Sequence, residues 1–275
     1  MKTSGGSDAA KRHAGASAAE AVADGEVVGL GTGSTAAHAI RRLGERVDSG
    51  LDVQGVATSF ASRELAAECG IPLLDLDEAV GPDAPGIDVA IDGADQVAVG
   101  AAGSDGTRSD GTRSDGTRSD GTRSDGAGSD SAGSSEAATG VGPLIKGGGA
   151  AHAREKLVDA AADRFLVVAD PSKEALVLDR SVPVEVLPAG RTAVAEAVRA
   201  TGGEPTLRRA ERKDGPVVTD NGNLVLDCAF GEIDDPAALA TRLSTTPGVV
   251  EHGIFVGLAD EVHVGTETGV RVTRR

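Results

Sequence analysis

The chain has no tryptophan, no tyrosine and only four phenylalanines in 275 residues. Nucleic acids are gripped by ring stacking and clustered cations, so this shortage, with no recurring basic patch, argues against a nucleic-acid partner. Cysteine is nearly absent as well: Cys69 and Cys228 lie far apart, without Cys-x-x-Cys or Cys/His spacing, and the five histidines are scattered. Nothing in that spacing suggests zinc, and both cysteines read as small buried residues. No apolar run is long enough to cross a bilayer, and Met1 to Gly15 lacks the apolar core of a secretory signal. The expectation is a cytoplasmic protein with no membrane partner.

Lysine is the most telling scarcity. There are 6 lysines against 21 arginines, and the formal net charge is −16. An acidic, lysine-poor surface suits a cytoplasm of very high salt, where screening removes the self-repulsion that would destabilise the chain in dilute buffer. A surface steering cationic ligands is the alternative, and the spread of acids along the whole chain speaks against it.

What is present reads as α/β. Ala9 to Ala23 has a helical pattern, Glu26 to Leu30 is a short apolar strand, and Ala36 to Val47 is again helical. Between strand and helix stands Gly31-Thr32-Gly33-Ser34-Thr35, the architecture that puts a phosphate on a helix N-terminus. Gly31, Gly33 and Ala36 match the dinucleotide pattern, but the P-loop lysine is missing. The hydroxyls of Thr32, Ser34 and Thr35 suit a terminal phosphate; helix capping by Ser34 is the plainer reading. Val53 to Thr58, Ile71 to Leu76 and Ile87 to Ile91 read as further strands, with a helix from Ser59 to Cys69. The alternation implies a parallel sheet covered on both faces, with ligands beyond the carboxyl ends of its strands. Asp92-Gly93-Ala94-Asp95 lies at such an end, suited to sugar hydroxyls, a metal, or a helix cap.

The chain is organised around Lys146-Gly147-Gly148-Gly149-Ala150-Ala151-His152-Ala153-Arg154-Glu155. Three glycines let the backbone approach a ligand, and Ala150 onward reads as a helix to Ala162 whose N-terminus favours anions. Glu155, in its second turn, can lean back toward the loop. The plain alternative is a connection with Lys146 and Glu155 both in solvent. A strand from Arg164 to Ala169 follows, then Asp170-Pro171-Ser172-Lys173 at another strand end.

Two stretches depart from this order. Ser104 to Arg123 is Ser-Asp-Gly-Thr-Arg four times over, with no apolar residue to form a core, so about 98–142 is expected to be a disordered, solvated insertion. Beyond Val182, strand-like Pro183 to Leu187, Pro216 to Val218, Leu224 to Ala229 and Val249 to Phe255 alternate with helical Thr192 to Ala200 and Asp235 to Leu243. Asn221-Gly222 between apolar runs signals a hairpin. The expected division is a main domain over 1–181, a small α+β domain over 182–255, and a return to the main domain over 256–275.

Gly31-Thr-Gly-Ser-Thr35, Asp92-Gly-Ala-Asp95, Lys146-Gly-Gly-Gly149 with Glu155, Ser172-Lys173 and Val218-Thr-Asp-Asn-Gly222 together resemble ribose-5-phosphate isomerase of the A type. The likeness covers nearly all of the chain except about 97–142. It implies interconversion of D-ribose 5-phosphate and D-ribulose 5-phosphate without metal or organic cofactor. It also implies a Rossmann-like main domain, a ferredoxin-like small domain, and a homodimer or homotetramer. By this resemblance Glu155 is the base that moves a proton through an enediolate, and Lys146 with the glycine-loop N–H groups stabilises the oxyanion. Asp92, Gly93, Ala94 and Asp95 would bind sugar hydroxyls, with Asp92 helping to open the furanose ring. Thr32, Gly33, Ser34, Thr35 and Lys173 would hold the phosphate, and Gly147, Gly148 and Gly149 would line the site.

Gln96 stands where the family usually has glutamate, a neutral, nearly isosteric change expected to leave activity intact. Two other functions compete. A sugar-phosphate sensor would keep the phosphate loop without needing Glu155, but would usually carry a basic helix-turn-helix, and none precedes Gly31. A nicotinamide-dependent dehydrogenase would want an acid ending the second strand, which instead ends at Ala57-Thr58.

Overall fold

The computed structural model describes residues 6–99, 140–212 and 214–275, so the Ser-Asp-Gly-Thr-Arg repeat lies outside the described residues. The fold is α/β, organised by a seven-stranded sheet in the spatial order β15 (Val270–Arg274), β14 (Glu261–Gly265), β7 (Ala162–Ala169), β4 (Ile87–Gly93), β1 (Val27–Leu30), β2 (Gln54–Ala57), β3 (Leu73–Leu74). All neighbours are parallel except β14 and β15, which form an antiparallel pair. Successive residues of β7 point to opposite faces. Leu166 and Val168 meet helices α1 (Asp8–Glu20) and α2 (Ser34–Asp48), while Phe165 and Val167 join Val97, Leu144 and Phe255 on the other side. With so few aromatics, α1 packs through alanines, burying Ala10, Ala14, Ala18 and Ala19.

The strand order reverses between β1 and β4, since β1 pairs with β2 on one side and β4 on the other. Loops leaving their carboxyl ends diverge and leave a crevice, which is where open α/β sheets bind ligands. A second sheet, β10 (Glu204–Leu207), β11 (Leu224–Ala229), β9 (Val182–Val186), β12 (Val249–His252), is antiparallel throughout and carries α6 (Arg191–Ala200) and α7 (Pro236–Ser244). A third joins β13 (Ile254–Phe255), β6 (Val141–Ile145), β5 (Gln96–Val99) and β8 (Glu174–Ala175). The remaining helices are α3 (Phe60–Glu68), the single turn α4 (Leu76–Ala79) and α5 (His152–Ala161).

Several expectations are corrected. Ala98, Val99, Val141 and Gly142 belong to paired strands, with Val97 opposite Leu144, so the insertion's flanks are a hairpin and not a solvated loop. The predicted strand Ile71 to Leu76 shrinks to two residues, because the capping box of Asp75 and Glu78 starts α4. Pro216 to Val218 makes only isolated bridges, and the unforeseen β10 pairs with β11 instead. The run Val249 to Phe255 splits at Gly253, whose carbonyl accepts from the Lys146 N–H while its own N–H donates to Pro183. At that point the chain leaves the second sheet for the third. The hairpin turn expected at Asn221-Gly222 does form, with Val218 bridged antiparallel to Leu224, and it also serves the packing of the second sheet, since Thr219, Asn221 and Asn223 all donate to one oxygen of the fully buried Glu185 on β9.

Gln96 is buried, donates to Asp179 Oδ1 at 2.6 Å and accepts from the Asp179 and Arg180 N–H groups at 2.9 and 3.0 Å. Glutamate could accept from the amides but would set a second carboxylate against Asp179. Gln96→Glu should therefore destabilise the fold by about 1–3 kcal/mol, and adding Asp179→Asn should recover most of the loss. Thermal melts in multimolar KCl check both.

Candidate active site

A cavity of about 290 Å3 opens at the crevice beyond β1 and β4. One end is built for an anion. Gly33 is the N-cap of α2, no side chain caps the helix, and Ser34 and Thr35 are its first residues, so their N–H groups stay open at the positive end of the helix dipole. Ser34 is thus not the cap. Of the three predicted hydroxyls, that of Thr32 is already engaged, donating to Ser59 at 2.7 Å and lying 2.9 Å from the Thr58 hydroxyl. Lys173 reaches the same cavity from the short 3-10 turn Pro171–Lys173, which Asp170 caps. Burial pulls the Lys173 ammonium below its ordinary value, with Arg180 and Lys11 acting the same way and Asp95 opposing.

Beneath the other end lies a buried ion cluster. Lys146 Nζ sits 2.9 Å from Asp92 Oδ2, 3.3 Å from Glu155 Oε2 and 3.7 Å from Asp159 Oδ2, and it donates to the Gly93 carbonyl at 2.6 Å. All four side chains are at most 4% exposed. Phe165 and Phe255 wall the ammonium, their ring centres 5.8 and 5.3 Å away. Three buried carboxylates around one cation cannot all carry charge, since each uncompensated ion costs several kcal/mol. Burial raises Asp92 despite its bonds to Lys146 and to the Thr32 and Gly93 amides, and it raises Asp159 well above the usual carboxylate range. Burial, and then the Asp92 charge, push Glu155 up to about 8. For Lys146, burial alone would lower the value, but the three carboxylates outweigh it and the ammonium is held charged.

Placement separates the predicted residues into two groups. Thr32, Gly33, Ser34, Thr35, Gly93, Ala94, Asp95, Gly147, Gly148, Gly149, Glu155 and Lys173 line the cavity. Asp92 and Lys146 do not; they stand behind its wall at 0% and 1% exposure. The reason is that β4 runs past Ile91 to Gly93, so Asp92 is a strand residue paired with Val167 and only Asp95 lies in the connection. Asp95 accepts from the Gly148 N–H at 2.6 Å. Among the described residues no group of three or more His, Cys, Asp or Glu is arranged to hold a metal ion.

The glycine loop is also tighter than expected. A side chain on Gly147, at φ 103°, would meet the His152 ring at 2.7 Å, and one on Gly148 would meet Asp95 at 2.6 Å. Ala150 itself has φ 62°, so α5 begins only at His152 and Glu155 falls in its first turn, not the second. Two residues at the site escape sequence reading. Lys11, on α1, lines the cavity; its lysine identity is a usable signal, because lysine is so rare here. Asp159 is one helical turn beyond Glu155 and shares its face, a spacing that becomes informative only once Lys146 is placed between them.

An uncapped helix end, which favours anions, beside a buried carboxylate of raised proton affinity has the geometry of an acid–base site for a small anionic substrate. The family model for ribose 5-phosphate isomerase A (phosphoriboisomerase A) matches residues 54–109 and 135–269. A protein named ribose-5-phosphate isomerase A from Halorubrum lacusprofundi is 79% identical over the full length of both chains. One of the same name from Methanothermobacter thermautotrophicus is 42% identical, covering 96% of this chain and 97% of the other. Among solved structures, ribose 5-phosphate isomerase A from Methanocaldococcus jannaschii superposes with a TM-score of 0.77 at 38% identity, covering 96% of this chain and 98% of that one. A D-ribose-5-phosphate isomerase in complex with phospho-erythronic acid gives 0.78 at 36% identity, covering 98% and 100%. The chain belongs to the ribose 5-phosphate isomerase A family.

The cluster makes stability depend on pH. Folding raises the Glu155 value to about 8, so the folded state holds a proton that the unfolded chain releases above its ordinary value near 4.5. This contribution is therefore present at low pH and lost as pH rises through 8. Glu155→Gln should match the parent near pH 4 and exceed its stability by up to about 5 kcal/mol above pH 8. Denaturant titrations across pH 4–9 measure the difference.

Proposed function

We propose that the chain interconverts D-ribose 5-phosphate and D-ribulose 5-phosphate through an enediolate, with Glu155 as the base. The observation that carries this reading is Glu155 itself: a carboxylate in the cavity wall, held by Lys146 and poised at about 8. The phosphate would sit on the first turn of α2 between Lys11 and Lys173, leaving the carbonyl end of an open-chain sugar toward Asp95, Glu155 and the glycine loop. Glu155 takes the proton from C2, the C1–C2 bond becomes double, and the proton returns to C1. The hydroxyl proton of O2 passes to O1, so the atoms balance. A correctly placed base contributes roughly 10²–10⁴-fold, and donors aimed at the enediolate oxygen stabilise it further.

In this reading Lys146 and Asp92 act from behind the wall. Lys146 keeps Glu155 in place and lowers its proton affinity against the pull of burial, and Asp92 fixes Lys146. Contact with sugar hydroxyls passes to Asp95, beside Gly93 and Ala94. The proposed division of the chain is a main domain over 1–181 and 256–275 and a small domain over 182–255. The proposed assembly is a homodimer or homotetramer.

The test is conversion of ribose 5-phosphate by the purified protein in multimolar KCl, as its acidic composition demands, with a chelator present. Turnover is expected to survive the chelator, and kcat/KM should rise with pH through an acid limb centred near 8, because the base must be ionised. Glu155→Gln should lose at least about 10³-fold in kcat while still binding inorganic phosphate. Full activity in that variant would remove Glu155 as the base.

A further inference from the structure

We infer that Arg208 is a positioning residue for this site, turning the Gly148 and Gly149 amides toward the cavity, and that Asp227 fixes Arg208 in that role. The inference rests on the isomerase reading for its substrate. Arg208 directly follows β10 at the edge of the second sheet and does not line the cavity. Its side chain is 9% exposed. Nη1 donates to the Gly147 carbonyl at 2.8 Å and to the Gly148 carbonyl at 3.3 Å. Nε donates to Asp227 Oδ2 at 2.9 Å and Nη2 to Asp227 Oδ1. The two-pronged grip of a carboxylate fixes the plane of the guanidinium, and the arginine backbone is fixed too, donating to Val225 and accepting from Val217.

The carbonyl and N–H of one peptide group point in opposite directions. Holding the Gly147 and Gly148 carbonyls toward Arg208 therefore sends the N–H groups of Gly148 and Gly149 the other way. The Gly148 N–H meets Asp95 on that side at 2.6 Å, and Gly149 belongs to the cavity wall. This leaves the Gly149 N–H as the loop donor aimed at a substrate oxygen. Three consecutive glycines are the least constrained backbone a chain can offer, while oxyanion stabilisation needs donors fixed in advance. Within the loop the Ala150 N–H donates to the Gly147 carbonyl at 2.9 Å, and Arg208 adds the constraint on the Gly147 and Gly148 carbonyls from another sheet. Lysine could not do this, since one ammonium cannot span two carbonyls and a carboxylate in a plane.

The experiment compares the parent with Arg208→Lys, Arg208→Gln and Asp227→Asn in multimolar KCl. It measures kcat and KM for ribose 5-phosphate, inhibition by inorganic phosphate, and affinity for phospho-erythronic acid, whose carboxylate carries negative oxygen at the reacting end. Both Arg208 variants should lose about 30-fold in kcat and about tenfold in affinity for phospho-erythronic acid, with phosphate inhibition unchanged within twofold. Asp227→Asn, nearly isosteric, should move the same two quantities by about fivefold, which keeps the inference testable if an Arg208 variant fails to fold. Unchanged kcat in the folded variants, or equal loss of phosphate and phospho-erythronic acid binding, would overturn it. Parent protein without turnover would instead overturn the isomerase reading, and the two binding measurements would still decide the clamp.

Discussion

Everything at this site depends on one ammonium group buried among three carboxylates. Lys146 comes from the end of β6, Asp92 from β4, and Glu155 and Asp159 from α5. The end of β4 is thus tied at one point to the β6–α5 segment far along the chain, and removing the cation would leave like charges facing each other in a medium that cannot hydrate them. The same tie sets the chemistry. Burial drives the Glu155 proton affinity up and Lys146 limits the rise, so the carboxylate ends near 8, the range the proposed base requires. A fully solvated glutamate would be ionised but feeble; one buried without Lys146 would rarely be ionised at all.

The rarity of lysine gives that tie further meaning. The described residues contain Lys11, Lys146, Lys156 and Lys173. Lys11 and Lys173 line the cavity and Lys146 lies under it, while Lys156 joins α5 to the second sheet through Glu251 and the His252 carbonyl, its ammonium 4.8 Å from the Phe255 ring centre. Each of the four acts at the site or next to it. A compact ammonium fits among three carboxylates where a planar guanidinium would not, and a salt-adapted surface has no competing need for it. Two of the four phenylalanines, Phe165 and Phe255, are spent on the same ammonium.

Much of this is legible in the sequence because glycine loops and strand–helix alternation are local signals. The loop Thr32 to Thr35, the glycine loop, Asp95, Glu155 and Lys173 all follow from spacing and resemblance, and all line the cavity. What escapes is set by longer-range geometry. Asp92 reads as a turn residue because nothing local says that β4 continues two residues past Ile91; pairing with β7 decides it. Ala150 reads as helical because alanine favours helices, yet the turn that brings Gly147 against His152 forces it to φ 62°. Thr32 reads as a phosphate donor, but Thr58 and Ser59, from the neighbouring strand end, take its hydroxyl. Lys11 lies on a helix whose alanine stripe draws attention to packing and away from its polar edge.

The two constraints on the glycine loop pull against each other. Close backbone approach demands residues without side chains, as the contacts at Gly147 and Gly148 show, and that freedom is what a preorganised site must suppress. The fold resolves this by distributing the restraint. The Lys146 N–H is held by Gly253 where the second sheet hands over to the third, the Gly148 N–H by Asp95 beyond β4, and the loop carbonyls by Arg208 from the edge of the second sheet. Each hold is worth about 1 kcal/mol net, too little alone to order three glycines at about 1–2 kcal/mol each. Together they are comparable to that cost. The second sheet, which supplies no cavity-lining residue among those described, therefore reaches the cavity by removing conformations from a loop whose carbonyls it holds.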